Sequence, residues 1–337
     1  MTPQTGPGQG IGRMRAVRVN ALSEDITAVD LEEIDLPDPG EGEVQIRIRA
    51  CAVNFPDLLM VQGKYQFKPP MPFTPGMEAA GDIVAVGSGV TQFAVGDKVV
   101  AGLRTGGMAE GANTAAAGCR RMPEAMSYEE AAGYTTAYLT AYVSLVRRGH
   151  LEAGETLLVH GAAGGVGMAA VDLGKQMGAT VIATASSKAK LDVLTARGAD
   201  HVINVADGFK DTVKDLTGGR GADVVYDPVG GDVFDESVRC IAWGGRLLVI
   251  GFASGRIPDI SVNMPLIKGF SVVGVRAGEY GRKDPAKGAE NIAAIDEMAT
   301  KGTIRPYVHA SFPLDKAAEA MCQLRDRQVI GKVVVTP

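Results

Sequence analysis

The sequence predicts an α/β protein in which a doubly wound parallel sheet is inserted into a second, β-rich domain. Three observations point there. Short alternating apolar and polar runs fill the first third, strands and helices alternate through the middle, and a last strand-like run at 331–336 follows once that alternation has closed. The length, 337 residues, suits about two domains. The 44 glycines are about 13% of the chain against a usual ~7%, without a collagen-like period, which fits many tight turns or backbone-lined sites.

The elements follow in order. The runs EVQIRIR at 43–49 and GDIVAV at 81–86, with Gly and Pro between such segments, read as antiparallel strands. After Pro123 the rhythm changes. Ser127 can cap a helix that has Glu129 and Glu130 in its first turn and carries Ala131 to about Leu145. Short buried strands are then expected at 156–160, 180–185, 201–203, 224–227 and 246–250, with helical patterns between them. That is the rhythm of a doubly wound sheet. Residues 271–275 extend it by one strand, and 286–301 read as a helix ending before Gly302. The closing β segment has no place in a completed α/β block and is assigned to the first domain. The expected division is a flexible tail at 1–13, a β-rich domain at 14–126 with 277–337, and the parallel-sheet domain at 127–276.

Charge and cysteine usage exclude several classes. The formal charge is 34 minus 39, or −5, which argues against a surface built to neutralise a nucleic-acid backbone, although a local basic patch stays open. Cys51, Cys119, Cys240 and Cys322 stand far apart, with no C-x-x-C pair and no Cys/His cluster, so free thiols in a reducing compartment are expected rather than structural zinc. Residues 1–13 lack the apolar stretch of a secretory signal, and no run of 18 apolar residues occurs. The expectation is a soluble cytoplasmic protein with no membrane contact.

The most informative segment is LLVHGAAGGVG at 157–167, followed by the apolar helical pattern from Met168 to Met177. Strand, glycine turn and helix stand in the order that a dinucleotide pyrophosphate requires. Gly164, Gly165 and Val166 offer backbone N–H groups at a helix N-terminus, and Gly167 lets the helix pack closely on the strand. The first fingerprint position is Ala162 rather than Gly, and the bland alternative is an ordinary tight connection. An NAD site places an acid about 20 residues beyond the glycines. Residues 173–191 contain none, and the second strand ends in Ser186, Ser187, Lys188 and Lys190. Hydroxyls and lysines suit a 2′-phosphate that a carboxylate would repel, so NADPH is the expected cofactor, with Ser186 and Lys190 near its phosphate. Either lysine could equally be a solvated helix-start residue.

On these residues the chain resembles the medium-chain dehydrogenase/reductase superfamily, and within it the zinc-independent quinone oxidoreductases related to ζ-crystallin. The resemblance covers about residues 14–337. It rests on the segment from Gly154 to Lys175, on AVNFPD at 52–57 followed by Gly63, Tyr65 and PGMEAAG at 75–81, and on Leu139, Thr140 and Tyr142. Asp172 departs from the Gln usual in that signature. The fold implied is a GroES-like β-rich catalytic domain with an inserted Rossmann domain. Zinc enzymes of the superfamily carry Cys and His where this chain has Asn54 and Met77, a pair that does not reproduce a thiolate–imidazole site. The resemblance therefore implies hydride transfer without a metal, to a quinone or an α,β-unsaturated carbonyl. The rival readings are an enoyl-thioester reductase and a non-catalytic NADPH-binding protein.

The resemblance also implies roles, with the nicotinamide in a cleft lined from both domains. Asn54 would bond substrate or cofactor, Thr140 would contact nicotinamide, and Tyr65 would donate a proton or hydrogen bond to the developing oxyanion, with water as the alternative donor. Tyr65 reads equally as a half-buried core residue. Some relatives carry a further Tyr where Leu58, Leu59 and Met60 stand. Val229, Gly251 and Phe252 lie at the ends of later strands, where a Rossmann ligand rests. Asp57 and His160 read as structural. Lys332 could reach a cofactor phosphate or mark an exposed strand. The apolar segment 271–275 could pair with a second copy, giving a homodimer.

Overall fold

The computed structural model describes residues 10–337. The chain divides into two compact units, one comprising the described residues through Thr135 with Tyr307–Pro337, the other Thr136–Pro306.

In the first unit, Gly12–Val19 pairs antiparallel with Val29–Leu36. A seven-stranded sheet runs in the order Val308–Pro313, Lys332–Thr336, Glu43–Ala52, Glu78–Val86, Lys98–Gly102 and Cys119–Arg121, with Gly111–Ala115 also paired to Glu43–Ala52. Alternation explains the central strand, since Ile46, Ile48 and Ala50 are buried while Arg47 and Arg49 between them are exposed. The closing strand pairs Val334 with Ala52 and Val335 with Cys51, so residues 282 and 284 positions apart become neighbours. The core includes Val17, Ile46, Ile48, Leu58, Met60, Val99, Met321 and Val335.

In the second unit, six parallel strands stand in the order His201–Asn204, Thr180–Ala185, Thr156–Val159, Ala222–Asp227, Ile241–Val249 and Ser271–Gly274. Numbered along the chain, this is the 3-2-1-4-5-6 order of a doubly wound sheet, which reverses direction between its first and fourth strands. The first strand is wholly buried, as expected of a central parallel strand covered on both faces.

Several expectations are corrected. Residues 1–9 of the expected tail lie outside the described residues, and Gly12 and Arg13 belong to the first strand. The strand expected at 246–250 begins at Ile241; Gly244 and Gly245 interrupt its apolar pattern and hid its start. The helix capped near Ser127 runs over Tyr128–Tyr142 and then widens into a π-helical turn, Val143–Arg148. Its capping box is formed: the Ser127 N–H donates to Glu130 Oε2 at 2.9 Å and the Glu130 N–H to Ser127 Oγ at 3.3 Å. Residues 277–306, given to the first domain from the sequence, lie in the second unit. The cause is tertiary. Ile295 and Ala299 of the helix Pro285–Thr300 are buried, Arg147 donates to Asn291 at 2.8 Å, and Arg197 donates to the Arg305 carbonyl at 2.9 Å.

Candidate functional site

The second unit gathers the nucleotide-loop residues at the carboxyl ends of its strands. Gly164 is the N-cap of the helix Gly165–Gln176, and no side chain caps it. The first-turn N–H groups of Gly165, Val166 and Gly167 are therefore those a helix leaves for an external acceptor. Gly161 turns the chain at φ +53°, and a Cβ on Gly167 would stand 2.4 Å from the Gly161 carbonyl oxygen. The helix can meet the strand this closely only with glycine at 167.

Two later strand ends close on this loop. The buried Asp227 accepts from the Val229 and Gly230 N–H groups at 2.8 and 2.9 Å, forming a turn in which burial raises its carboxyl pKa against those hydrogen bonds. The Val229 side chain lies over Gly161, where an added Cβ would meet it at 3.1 Å. The Ala253 N–H donates to the Pro228 carbonyl and the Ser254 N–H to that of Val229, which carries Gly251 and Phe252 to the same turn. The loop, Val229, Gly251 and Phe252 thus come together as one cradle. A Cβ at Gly161 would press on Val229 and one at Gly167 would collide with the Gly161 carbonyl, so glycine there lets the loop close as tightly as a dinucleotide-binding turn requires.

At the end of the second strand, Ser186 is exposed and Ser187 caps the helix Lys188–Ala196, accepting from the Lys190 N–H. Lys188 pairs with Asp192 at 2.7 Å on the solvent face, and Lys190 is half-buried in the first turn. Thr140, half-buried, donates its hydroxyl to the Thr136 carbonyl one turn earlier, and Ser144 donates to the Thr140 carbonyl. The departure at Asp172 has a partner set of its own. Its Oδ2 accepts from the Tyr138 hydroxyl at 2.5 Å and from Arg197 at 2.7 Å. The carboxylate is thereby tied to a helix and to an arginine that a Gln there could not neutralise.

The first unit holds a separate buried polar cluster. Asn54 caps the helix Phe55–Val61 and is 6% exposed. Its Oδ1 accepts from Lys332 Nζ at 2.6 Å, and its Nδ2 donates to Glu78 Oε1 at 3.0 Å and more weakly to the Ala52 carbonyl at 3.4 Å. Lys332 Nζ also meets Glu78 Oε1 at 3.1 Å, with the two side chains 6% and 4% exposed. Lys332 is therefore neither on an exposed strand nor extended toward solvent, and its stem runs beside Gly133, where an added Cβ would lie in van der Waals contact with it at 3.5 Å. Asp57 takes the structural part expected of it: its two oxygens accept separately from the Asn54 and Gly76 N–H groups. Burial pushes its carboxyl up to about 7, overcoming the lowering by those two bonds and by Lys332. The same burial, with Asp57 and Glu78 nearby, raises the Cys51 thiol well above its ordinary value. Tyr65 is half-buried against the core of this unit, and Leu58 and Met60 lie inside it.

Sequence reasoning missed Glu78 and set Lys332 aside. The signal for Glu78 was its place in the PGMEAAG segment; for Lys332 it was only the contrast of a lysine before three valines. Among the described residues, no group of three or more His, Cys, Asp or Glu is placed to hold a metal ion, and no helix is long and apolar enough to cross a membrane. The four cysteines are free thiols, three of them buried.

Comparison with known proteins agrees with this architecture. Residues 40–151 match the family model of the alcohol dehydrogenase GroES-like domain, and residues 165–294 match that of zinc-binding dehydrogenases. A quinone oxidoreductase-like protein 2 homolog of Nematostella vectensis is 39% identical over 325 residues, covering 95% of this chain and 88% of that protein. A mycobacterial protein solved in complex with NADPH superposes with a TM-score of 0.89 at 31% identity, over 96% of this chain and 100% of that one. The CurK enoyl reductase superposes with a TM-score of 0.87 at 27% identity, over 96% and 99%. With the GroES-like and nucleotide-binding domains both present, the chain belongs to the quinone oxidoreductase-like family of the medium-chain dehydrogenase/reductase superfamily.

Proposed function

We propose that the protein is an NADPH-dependent, zinc-independent reductase that transfers hydride to a quinone or to the β-carbon of an α,β-unsaturated carbonyl. The observation that carries this reading is the uncapped Gly164–Gly167 turn followed by a second strand, Thr180–Ala185, after which Ser186 and Ser187 stand where an acid would be. The N–H groups of Gly165, Val166 and Gly167 would hold the pyrophosphate, and Val229, Gly251 and Phe252 would line the cofactor further along. Lys190 and Ser186 are assigned to the 2′-phosphate, since Lys188 faces solvent with Asp192. Bound there, NADPH supplies a hydride. Thr140 is assigned to the nicotinamide through its hydroxyl oxygen, whose proton is already given to Thr136. Tyr65 is the candidate proton donor to the oxygen on which negative charge develops. Asn54 has both ends of its amide engaged, so its part is to hold the Lys332–Glu78 pair in place.

The likeness to CurK favours a second reading, an enoyl-thioester reductase. Titration with NADPH and NADH followed by fluorescence, and then addition of 1,4-benzoquinone or a short enone while nicotinamide absorbance is followed, separates the readings. Rapid acceptor-dependent oxidation is expected. Tight binding without turnover on either acceptor would favour the thioester or a non-catalytic role, and about one zinc per purified chain would overturn the metal-free assignment. Lys190→Glu should weaken NADPH far more than NADH.

The protein is further proposed to be a cytoplasmic homodimer without nucleic-acid partners. Free cysteines fit the reducing compartment. Among the described residues, the strand Ser271–Gly274 ends the parallel sheet with one edge unpaired, and Trp243, Val262, Leu266 and Ile267 beside it are 67–84% exposed. A second copy pairing edge to edge would cover them. Sedimentation showing only a 35.1 kDa species at micromolar concentration would overturn the dimer.

A further inference from the structure

His160, the residue that ends the first strand and precedes Gly161, is fully buried and is not used by the chemistry above. Its Nε2 lies 2.8 Å from Ser237 Oγ and its Nδ1 lies 3.0 Å from Thr184 Oγ1. The direction of these bonds follows from the third member of the chain. Ser237 has one proton, and it goes to the Val233 carbonyl at 2.7 Å, which can only accept. Ser237 must therefore accept from His160 Nε2–H, which leaves Nδ1 bare to accept from the Thr184 hydroxyl. The ring is tilted against Phe209 at 4.6 Å, and no carboxylate stands among its hydrogen-bond partners. Burial holds its pKa down near 3, so the ring stays neutral and only one nitrogen carries a proton.

The chain of bonds thus runs one way, from Thr184 through His160 and Ser237 to Val233. Each end lies beside a different part of the cradle. Thr184 is the next-to-last residue of the second strand, two residues before Ser186, and its carbonyl accepts from the Ala162 N–H of the glycine loop. Val233 lies in the helix Asp232–Ser237, directly after the turn that carries Val229. His160 itself joins the first strand to the fourth, since its N–H donates to the Tyr226 carbonyl. The imidazole therefore ties the end of the first strand to the second strand and to the helix after the Val229 turn, while the main-chain N–H of the same residue ties it to the fourth strand.

We propose that His160, held as the neutral Nε2–H tautomer, is a positioning residue for the dinucleotide: it sets the spacing between the glycine loop, the Ser186 end of the second strand and the Val229 turn, and so the affinity for NADPH. This rests on the cofactor reading above. Thr184→Val keeps the shape of the side chain and removes only the hydroxyl that holds Nδ1. It is expected to raise the NADPH dissociation constant, read by nicotinamide fluorescence, about fivefold, the worth of one such hydrogen bond. KM for NADPH should rise by the same factor at unchanged kcat, whereas a merely structural loss would lower the folded fraction and hence kcat at unchanged KM. Ser237→Ala, on the far side of the ring, should act in the same direction, and the double variant should lose less than the product of the two.

In the unaltered protein, ¹⁵N NMR should show a protonated Nε2 and a bare Nδ1 from pH 5 to 8. A protonated Nδ1, or Thr184→Val with unchanged NADPH affinity, would overturn the proposal alone. Failure of the unaltered protein to bind NADPH would overturn the cofactor reading and the positioning role with it, while the tautomer would remain as measured.

Discussion

The two units bury polar groups in opposite ways. The first encloses charge: Lys332 and Glu78 meet around the Asn54 amide, with Asp57 behind it. The second encloses a neutral chain, in which Thr184, His160 and Ser237 each give one proton to the next acceptor. Both are satisfied, but they respond differently when a partner is lost. A buried ion that loses its counter-ion retains a large desolvation cost, whereas a neutral donor or acceptor left alone carries a smaller one, about 1–3 kcal/mol.

The largest expected effect follows from that asymmetry. Lys332→Met keeps the stem beside Gly133 but leaves Glu78 without that cation, and should cost about 3–5 kcal/mol in urea unfolding. Adding Glu78→Gln should recover much of the loss. A cost below about 1 kcal/mol for the single variant would show that the pair is solvated and not buried.

Next come opposite pH slopes. His160 is held near 3 when folded against an ordinary 6.5, so the unfolded chain binds more protons between those values and stability falls as pH drops through them. Asp57 is held near 7 when folded against 3.8, so the folded chain keeps the proton longer and stability falls as pH rises from about 4 through about 7. His160→Phe should therefore gain about 2 kcal/mol relative to the unaltered protein on going from pH 6.5 to 5. Asp57→Asn should gain a similar amount, about 2 kcal/mol, on going from pH 5 to 7. Urea midpoints at those pH values read both, and slopes of the same sign in the two variants would remove the contrast.

The smallest effects mark the surface. Ser187→Ala removes an N-cap whose bond to Lys190 is long, 3.5 Å, and should cost about 0.5 kcal/mol. Lys188→Ala should cost less, because its pair with Asp192 is exposed. Thermal unfolding should rank them in that order, and a larger cost for Lys188→Ala would mean that its pair is more than a solvated contact.

Much of the nucleotide cradle was legible because its signals are local. Gly161 and Gly167 are dictated by a backbone turn and a close helix–strand approach within a few residues, and strand–helix alternation marks a doubly wound parallel sheet, although its 3-2-1-4-5-6 order is set by which strands pair. The Asn54 site was half legible. Its cap and Asp57 lie three residues apart, but Glu78 and Lys332 come from positions 24 and 278 residues away. No periodicity marks such partners. The same limit misplaced residues 277–306, whose helical pattern is plain while the unit they pack into depends on contacts such as Arg147 with Asn291.

By itself, then, the sequence determined what short-range physics controls: alternation in the strands, the strand–turn–helix loop with its obligatory glycines, and the absence of an acid after the second strand. Only the tertiary structure decided which buried groups meet. It turned Lys332 inward onto Asn54 and Glu78, gave Asp172 its arginine, and set the proton of His160 on Nε2, because the partners that fix a buried charge or a tautomer arrive from strands and helices distant along the chain.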